Sequence, residues 1–126
     1  MGYVQINENP QGLNVGDCVI RAISIITDKD WYDIYIELSV KGMEMADTLD
    51  SNRVWMSYLK DEGFKVSSIV DSCPDCYTVE DFCKDNPIGK FLLATGNHLI
   101  AVINGNWMDT WNSGLQAPIC YFYKEE

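Results

Sequence analysis

The residues with the clearest chemical potential are Cys18, Asp109 and the only histidine in the chain, His98. A thiol is a strong nucleophile only as its thiolate, and an unperturbed cysteine is mostly protonated at neutral pH. A neighbouring imidazolium and a helix N-terminus both favour the thiolate, and a carboxylate on the far side of the ring fixes which nitrogen faces sulfur. These three residue types therefore supply the parts of an acyl-transfer site. Cys18 would attack an acyl carbon to give a thioester, His98 would protonate the leaving group, and Asp109 would orient the imidazole. The backbone N–H of Cys18 is a natural donor to the developing oxyanion.

Particular elements must place these groups. Val19, Ala22, Ile23 and Ile26 recur at helical spacing, with Asp17 at or near the N-cap and Thr27-Asp28 ending the run, which puts Cys18 in the first turn of a helix. His98 leads an apolar run to Ile103, and Asp109 lies within Trp107 to Trp111, with Asn104-Gly105 between the two runs. If Asn104-Gly105 is a type I′ turn, Ile103 pairs with Asn106 and His98 with Trp111. Side-chain alternation then puts 98, 100 and 102 on the face of 107, 109 and 111, with Asp109 diagonal from His98 at roughly 7–8 Å between backbones. A one-residue slip would separate them onto opposite faces.

Elsewhere the pattern is helical first and strand-rich later. Residues 3 to 16 read as an extended arm and loop. Asp30 is a second N-cap candidate before Trp31, Ile34, Tyr35 and Leu38, and Met43-Glu44-Met45 falls in a connection. A third helix from about Ser51 to Glu62 would bury Val54, Trp55, Tyr58 and Leu59 and stop at Gly63. Phe64, Val66, Ile69 and Val70 suggest a strand, Thr78 to Asp81 opens a short helix that must end before Pro87, and apolar runs at 90–95, 98–103, 107–111 and 119–123 read as strands. Trp107, Trp111, Tyr121 and Tyr123 alternate at strand spacing and fill the sheet faces, with Trp111 lining a cleft beside His98 as a substrate contact. Arg21 reads first as a structural salt-bridge partner. The expectation is an α+β domain spanning residues 1–126, with N-terminal helices packed on a C-terminal antiparallel β-sheet.

Composition narrows the partners. The 126 residues carry 19 acidic and 9 basic side chains, a formal net charge of -10, which argues against direct nucleic-acid binding and leaves room for a basic protein partner. No apolar run approaches the ~20 residues of a membrane span, and residues 1–9 lack the features of a secretory signal, so a cytoplasmic location is expected. The five cysteines, at 18, 73, 76, 83 and 120, argue against a full disulfide framework. Cys73 and Cys76 have the spacing of a redox pair or half a zinc site, to which Cys83 could add a ligand, but no second pair at that spacing exists. Ordinary reduced thiols, with no metal and no cofactor, are the expectation there.

In the order Cys18, His98, Asp109, the chain resembles the papain-like cysteine peptidase superfamily, and particularly small bacterial and phage-type proteins similar to double-glycine leader peptidases. The matching segments are Asn14 to Ala22, Asn97 to Val102 and Trp107 to Trp111. The resemblance implies a papain-like fold, with the nucleophile on an N-terminal helix packed against an antiparallel sheet bearing the other two residues. It makes Cys18 the nucleophile, His98 the general base and acid, and Asp109 the orienting residue. The family usually places a Gln six positions before the nucleophile; that position is Gly12 here, with Gln11 and Asn14 nearby as alternative oxyanion candidates. The implied function is a cysteine peptidase or related acyl-transfer hydrolase acting on a protein or peptide substrate. The alternative is a non-enzymatic acidic interaction or inhibitor protein, phage-borne or host-modulating, on the same fold.

Overall fold

A computed structural model of the chain describes residues 2–70 and 76–125. It is an α+β structure whose elements run β1 (Gly2–Gln5), α1 (Cys18–Thr27), α2 (Trp31–Met45), α3 (Asn52–Asp61), β2 (Lys65–Ser68), α4 (Val79–Asp85), β3 (Lys90–Ala94), β4 (Leu99–Ile103), β5 (Asn106–Asp109) and β6 (Cys120–Tyr123). The strands form one sheet in the order β1-β5-β4-β3-β6-β2.

Every neighbouring pair is antiparallel except β1 and β5, so the sheet is mixed and not purely antiparallel. The arm read from residues 3 to 16 therefore begins as a strand. Tyr3 pairs with Trp107 and Gln5 with Asp109, and the ladder continues as Ile6 donates its N–H to the Asp109 carbonyl at 2.9 Å. Four residues are too few for alternation to stand out, and the partner lies a hundred positions along the chain.

Helix α1 is buried on most of its circumference, through Val19, Ile20, Ala22, Ile23 and Ile26, because it lies between the sheet and α2. With Ile34, Leu38, Trp55, Leu59, Leu92, Leu99, Ala101 and Phe122 it forms the main core, while Val79, Phe82, Cys83, Leu93, Ile100, Val102 and Trp107 fill the other face beneath α4. Truncating a fully buried member such as Ile23 costs about 2–5 kcal/mol.

Capping explains most boundaries. The Asp30 carboxylate accepts the Tyr32 N–H at the start of α2, and Thr78 and Asp81 form a reciprocal capping box at α4. Gly63, at φ +94°, ends α3. Helix α2 runs through Met45, however, and takes in the Met43 to Met45 stretch read as a connection. Gly42 lies against a neighbouring turn so closely that a Cβ would sit 2.8 Å from the Asp47 carbonyl oxygen, and this contact supports the last turn.

The β4–β5 turn has the expected form. Asn104 and Gly105 both take positive φ, 50° and 77°, and Ile103 pairs with Asn106, Val102 with Trp107 and Ala101 with Met108. No helix among the described residues is long and apolar enough to cross a membrane.

Candidate active site

The site assembles where the start of α1 meets the adjacent ends of β4 and β5. Cys18 is the first residue of α1, His98 immediately precedes β4, and Asp109 closes β5. The hairpin register brings His98 Nε2 to 2.6 Å from Asp109 Oδ2. The His98 ring and the backbone N–H of Leu99 both act on the Cys18 sulfur and favour its thiolate. Because Nε2 is committed to Asp109, Nδ1 is the nitrogen left to serve Cys18.

Asp109 is almost fully buried and every lone-pair direction is used. Oδ2 accepts from His98 and from Ser113 Oγ at 2.8 Å; Oδ1 accepts from the Thr110 N–H at 2.8 Å and from Arg21 Nη1 at 3.3 Å. Arg21 in turn donates Nε to Asp17 Oδ1 at 2.7 Å, and Asp17 Oδ2 accepts from Trp31 Nε1 at 3.1 Å and Asn9 Nδ2 at 3.2 Å. A continuous buried polar network thus ties the loop, α1, α2 and the sheet to the imidazole.

Its charges account for the protonation of the site. Burial pushes the Cys18 thiol up, but the hydrogen bonds from His98 and the Leu99 N–H and the charges of His98 and Arg21 together hold it below the ordinary thiol value. Burial alone would lower His98; the hydrogen bonds to Asp109 and Cys18 and their negative charges reverse this and hold the imidazole up at about 9. Burial likewise raises Asp109, and its bonds from His98, Ser113 and Thr110 bring it below the usual carboxylate range. The other described free thiols shift the opposite way, Cys83 up to about 11 and Cys120 also upward, through burial. Cys18 is thus set apart by its charged and hydrogen-bonded neighbours.

A cavity of about 240 Å³ opens beside the sulfur, lined in part by Gly16, Cys18, Asp50, Trp55, Asn97 and His98. Gln11 and Asn14 are exposed and neither lines it. The loop is folded on Asn9, whose Oδ1 accepts the N–H groups of Gln11 and Leu13, and this geometry directs Gly16 to the cleft. Two other amide side chains do line it. Asn52 is tied to the Gly96 carbonyl and to Trp55 Nε1, whereas Asn97 accepts from Thr95 through Oδ1 and has its Nδ2 available. Trp111 stacks on His98, with ring centroids 5.2 Å apart at 28°, yet is not one of the cleft-lining residues; it covers the imidazole.

Asp17 stands at the N-cap position but makes no side-chain cap. Its carboxylate is taken by Arg21 at 2.7 Å, an ion pair between two full charges in place of a bond to a backbone N–H. The first-turn N–H groups of α1, that of Cys18 included, are left without a side-chain acceptor. The roles of Asn9, Ser113 and β1 were not visible in the sequence; the only signals were an Asn-rich turn and a serine four positions after Asp109.

Among the described residues no group of three or more His, Cys, Asp or Glu is placed to hold a metal ion. Cys76 is disulfide-bonded, which corrects the expectation of an ordinary reduced thiol there, and Cys73 lies outside the described residues. Comparisons with family models, curated proteins and solved structures give no match for this chain.

Proposed function

We propose that the protein is a cysteine peptidase or related acyl-transfer hydrolase of papain-like design, acting on a peptide, isopeptide or amide bond of a protein substrate. The observation that carries this reading is Cys18 at the start of α1 beside a buried His98–Asp109 pair bonded at 2.6 Å, with the thiol lowered and the imidazole raised. A lowered thiol beside a raised imidazole favours the thiolate–imidazolium form of the pair.

The thiolate attacks the carbonyl carbon, and the oxyanion that forms meets the uncapped N–H of Cys18, with Asn97 Nδ2 as a second donor in the cleft. His98 then gives its Nδ1 proton to the leaving amine as the C–N bond breaks, which leaves a thioester and a neutral imidazole. In the second half His98 takes a proton from water, hydroxide adds to the thioester carbon, and the thiolate departs with the imidazolium restored. Asp109 keeps its charge throughout and holds the proton on Nε2.

The pH dependence of iodoacetamide alkylation at each cysteine, mapped by peptide mass spectrometry in wild type and His98→Ala, tests this. Cys18 should label selectively and fast below neutral pH, with Cys83 and Cys120 as slow internal standards, and His98→Ala should abolish the selectivity. Labelling of Cys18 at the rate of the other thiols, or turnover surviving in folded Cys18→Ala, would overturn the proposal.

A further inference from the structure

The cleft beside Cys18 has an unbalanced charge. Its thirteen lining residues include no lysine or arginine, and Asp50 is the only Asp or Glu among them. A thiolate–imidazolium pair is neutral overall, so Asp50 is the one uncompensated charge among the lining residues. Asp50 is exposed, in the turn that leads into α3, and its carboxylate makes no hydrogen bond or ion pair with a described residue. Asp47, three positions earlier, differs: its carboxylate binds Arg53 at 2.8 Å and Ser51 at 2.9 Å. Capping is not its role either, since the N-cap of α3 is Ser51.

Two further features bear on what enters. Gly16 lines the cleft, and a Cβ built there would meet nothing within 4 Å, so packing does not require a glycine and the space beside it is open to a ligand. The apolar wall, Val19, Trp55, Met56, Leu99 and Ile119, suits the methylene stem of a long side chain whose charged head reaches the rim. The protein's charge of -10 adds a long-range attraction of the same sign.

We propose that the substrate segment presented to Cys18 carries a lysine or arginine side chain next to the scissile bond, with its stem along the apolar wall and its cation at Asp50. This rests on Cys18 being the activated nucleophile. An acidic segment would set two negative charges against each other at the mouth of the site, and a neutral one would gain nothing from Asp50.

Labelling of Cys18 by a matched pair of methanethiosulfonates, one bearing a trimethylammonium and one a sulfonate, reads this without a known substrate. Two unit charges several ångströms apart across a wet cleft change a rate about two- to threefold each, so Asp50→Asn should lower the cation-to-anion rate ratio about fivefold. Asp33→Asn, an equal change of net charge on an exposed residue outside the cleft, should leave the ratio within about 1.5-fold. An unchanged ratio in Asp50→Asn, or an equal fall in Asp33→Asn, overturns the proposal while Cys18 remains an activated thiol. Neutral iodoacetamide on the same samples separates the two failures: slow labelling of Cys18 in wild type overturns the acyl-transfer reading, and the substrate proposal with it.

Discussion

Asp109→Asn is the sharpest perturbation of the site, because it removes one charge and exchanges one acceptor for a donor at almost constant volume. Four donors converge on the carboxylate: His98 Nε2 and Ser113 Oγ on Oδ2, and the Thr110 N–H and Arg21 Nη1 on Oδ1. An asparagine brings one oxygen and one NH₂ to the same place. If the NH₂ took the Oδ1 position it would face a backbone N–H and a guanidinium, neither of which can accept. At the Oδ2 position it meets a hydroxyl, which can turn to accept, and an imidazole nitrogen, which accepts only when deprotonated. The amide is therefore driven to the second arrangement, and a neutral His98 then carries its proton on Nδ1, the nitrogen that faces sulfur.

What is lost is one charge-assisted hydrogen bond, about 1.5–3 kcal/mol. At about 1.36 kcal/mol per pH unit this moves His98 from about 9 down to roughly 7–8, and at pH 9 lowers the imidazolium population roughly fivefold to fiftyfold. The chain's single histidine gives one set of ring-proton NMR signals, and their titration midpoint should move down by about one to two pH units. Near-ultraviolet circular dichroism and a thermal melt establish that the variant is folded. A folded Asp109→Asn protein whose His98 midpoint stays within about 0.5 pH unit of wild type would refute the reasoning, since the carboxylate would then have no hold on the imidazole.

Other consequences follow from the same contacts. Arg21→Met leaves the buried Asp17 and Asp109 carboxylates without their cation and should cost about 3–5 kcal/mol in urea denaturation, with partial recovery in Arg21→Met/Asp17→Asn. Gly114→Ala would put a Cβ 2.7 Å from Trp107 Cζ2 and should destabilise by about 1–3 kcal/mol in a thermal melt, whereas Gly16→Ala, with open space, should change stability by less than about 0.5 kcal/mol. In Cys18→Ala the imidazole is left with Asp109 alone. A His98 value raised above the ordinary 6.5 contributes stability that is complete below about pH 6.5 and is lost as pH rises through the folded value, so the urea midpoint should fall over that range; Cys18→Ala/His98→Gln should show no such fall. Because Trp111 stacks on His98, the fluorescence difference between wild type and Trp111→Phe should titrate near pH 9 with the imidazolium and be flat in His98→Gln.

The sequence by itself determined the local elements and the pairing at the heart of the site. Helical spacing from Val19 to Ile26 placed Cys18 at a helix start, and Asn104-Gly105, a pair suited to positive φ, set the register that brings Asp109 across from His98. These are short-range matters, governed by backbone preferences and side-chain periodicity within a few residues. The α+β class followed from the same signals, since helical and strand periodicities are segregated along the chain.

Tertiary structure alone decided what surrounds that pair. Strand β1 has no pattern of its own and exists because β5 offers it an edge; α2 extends past its expected end because Gly42 meets a neighbouring turn. Asp17 makes no cap because folding placed Arg21 between it and Asp109, and in a low-dielectric interior a cation shared by two carboxylates outweighs a carboxylate bond to a backbone N–H. Gln11 and Asn14 were candidates by residue type and position, but the loop folds on Asn9 and Gly16 reaches the cleft instead. Asp50 carried no sequence signal at all, since a carboxylate gains meaning only from what lies opposite it, and a cleft formed by segments tens of positions apart is not written in any one of them.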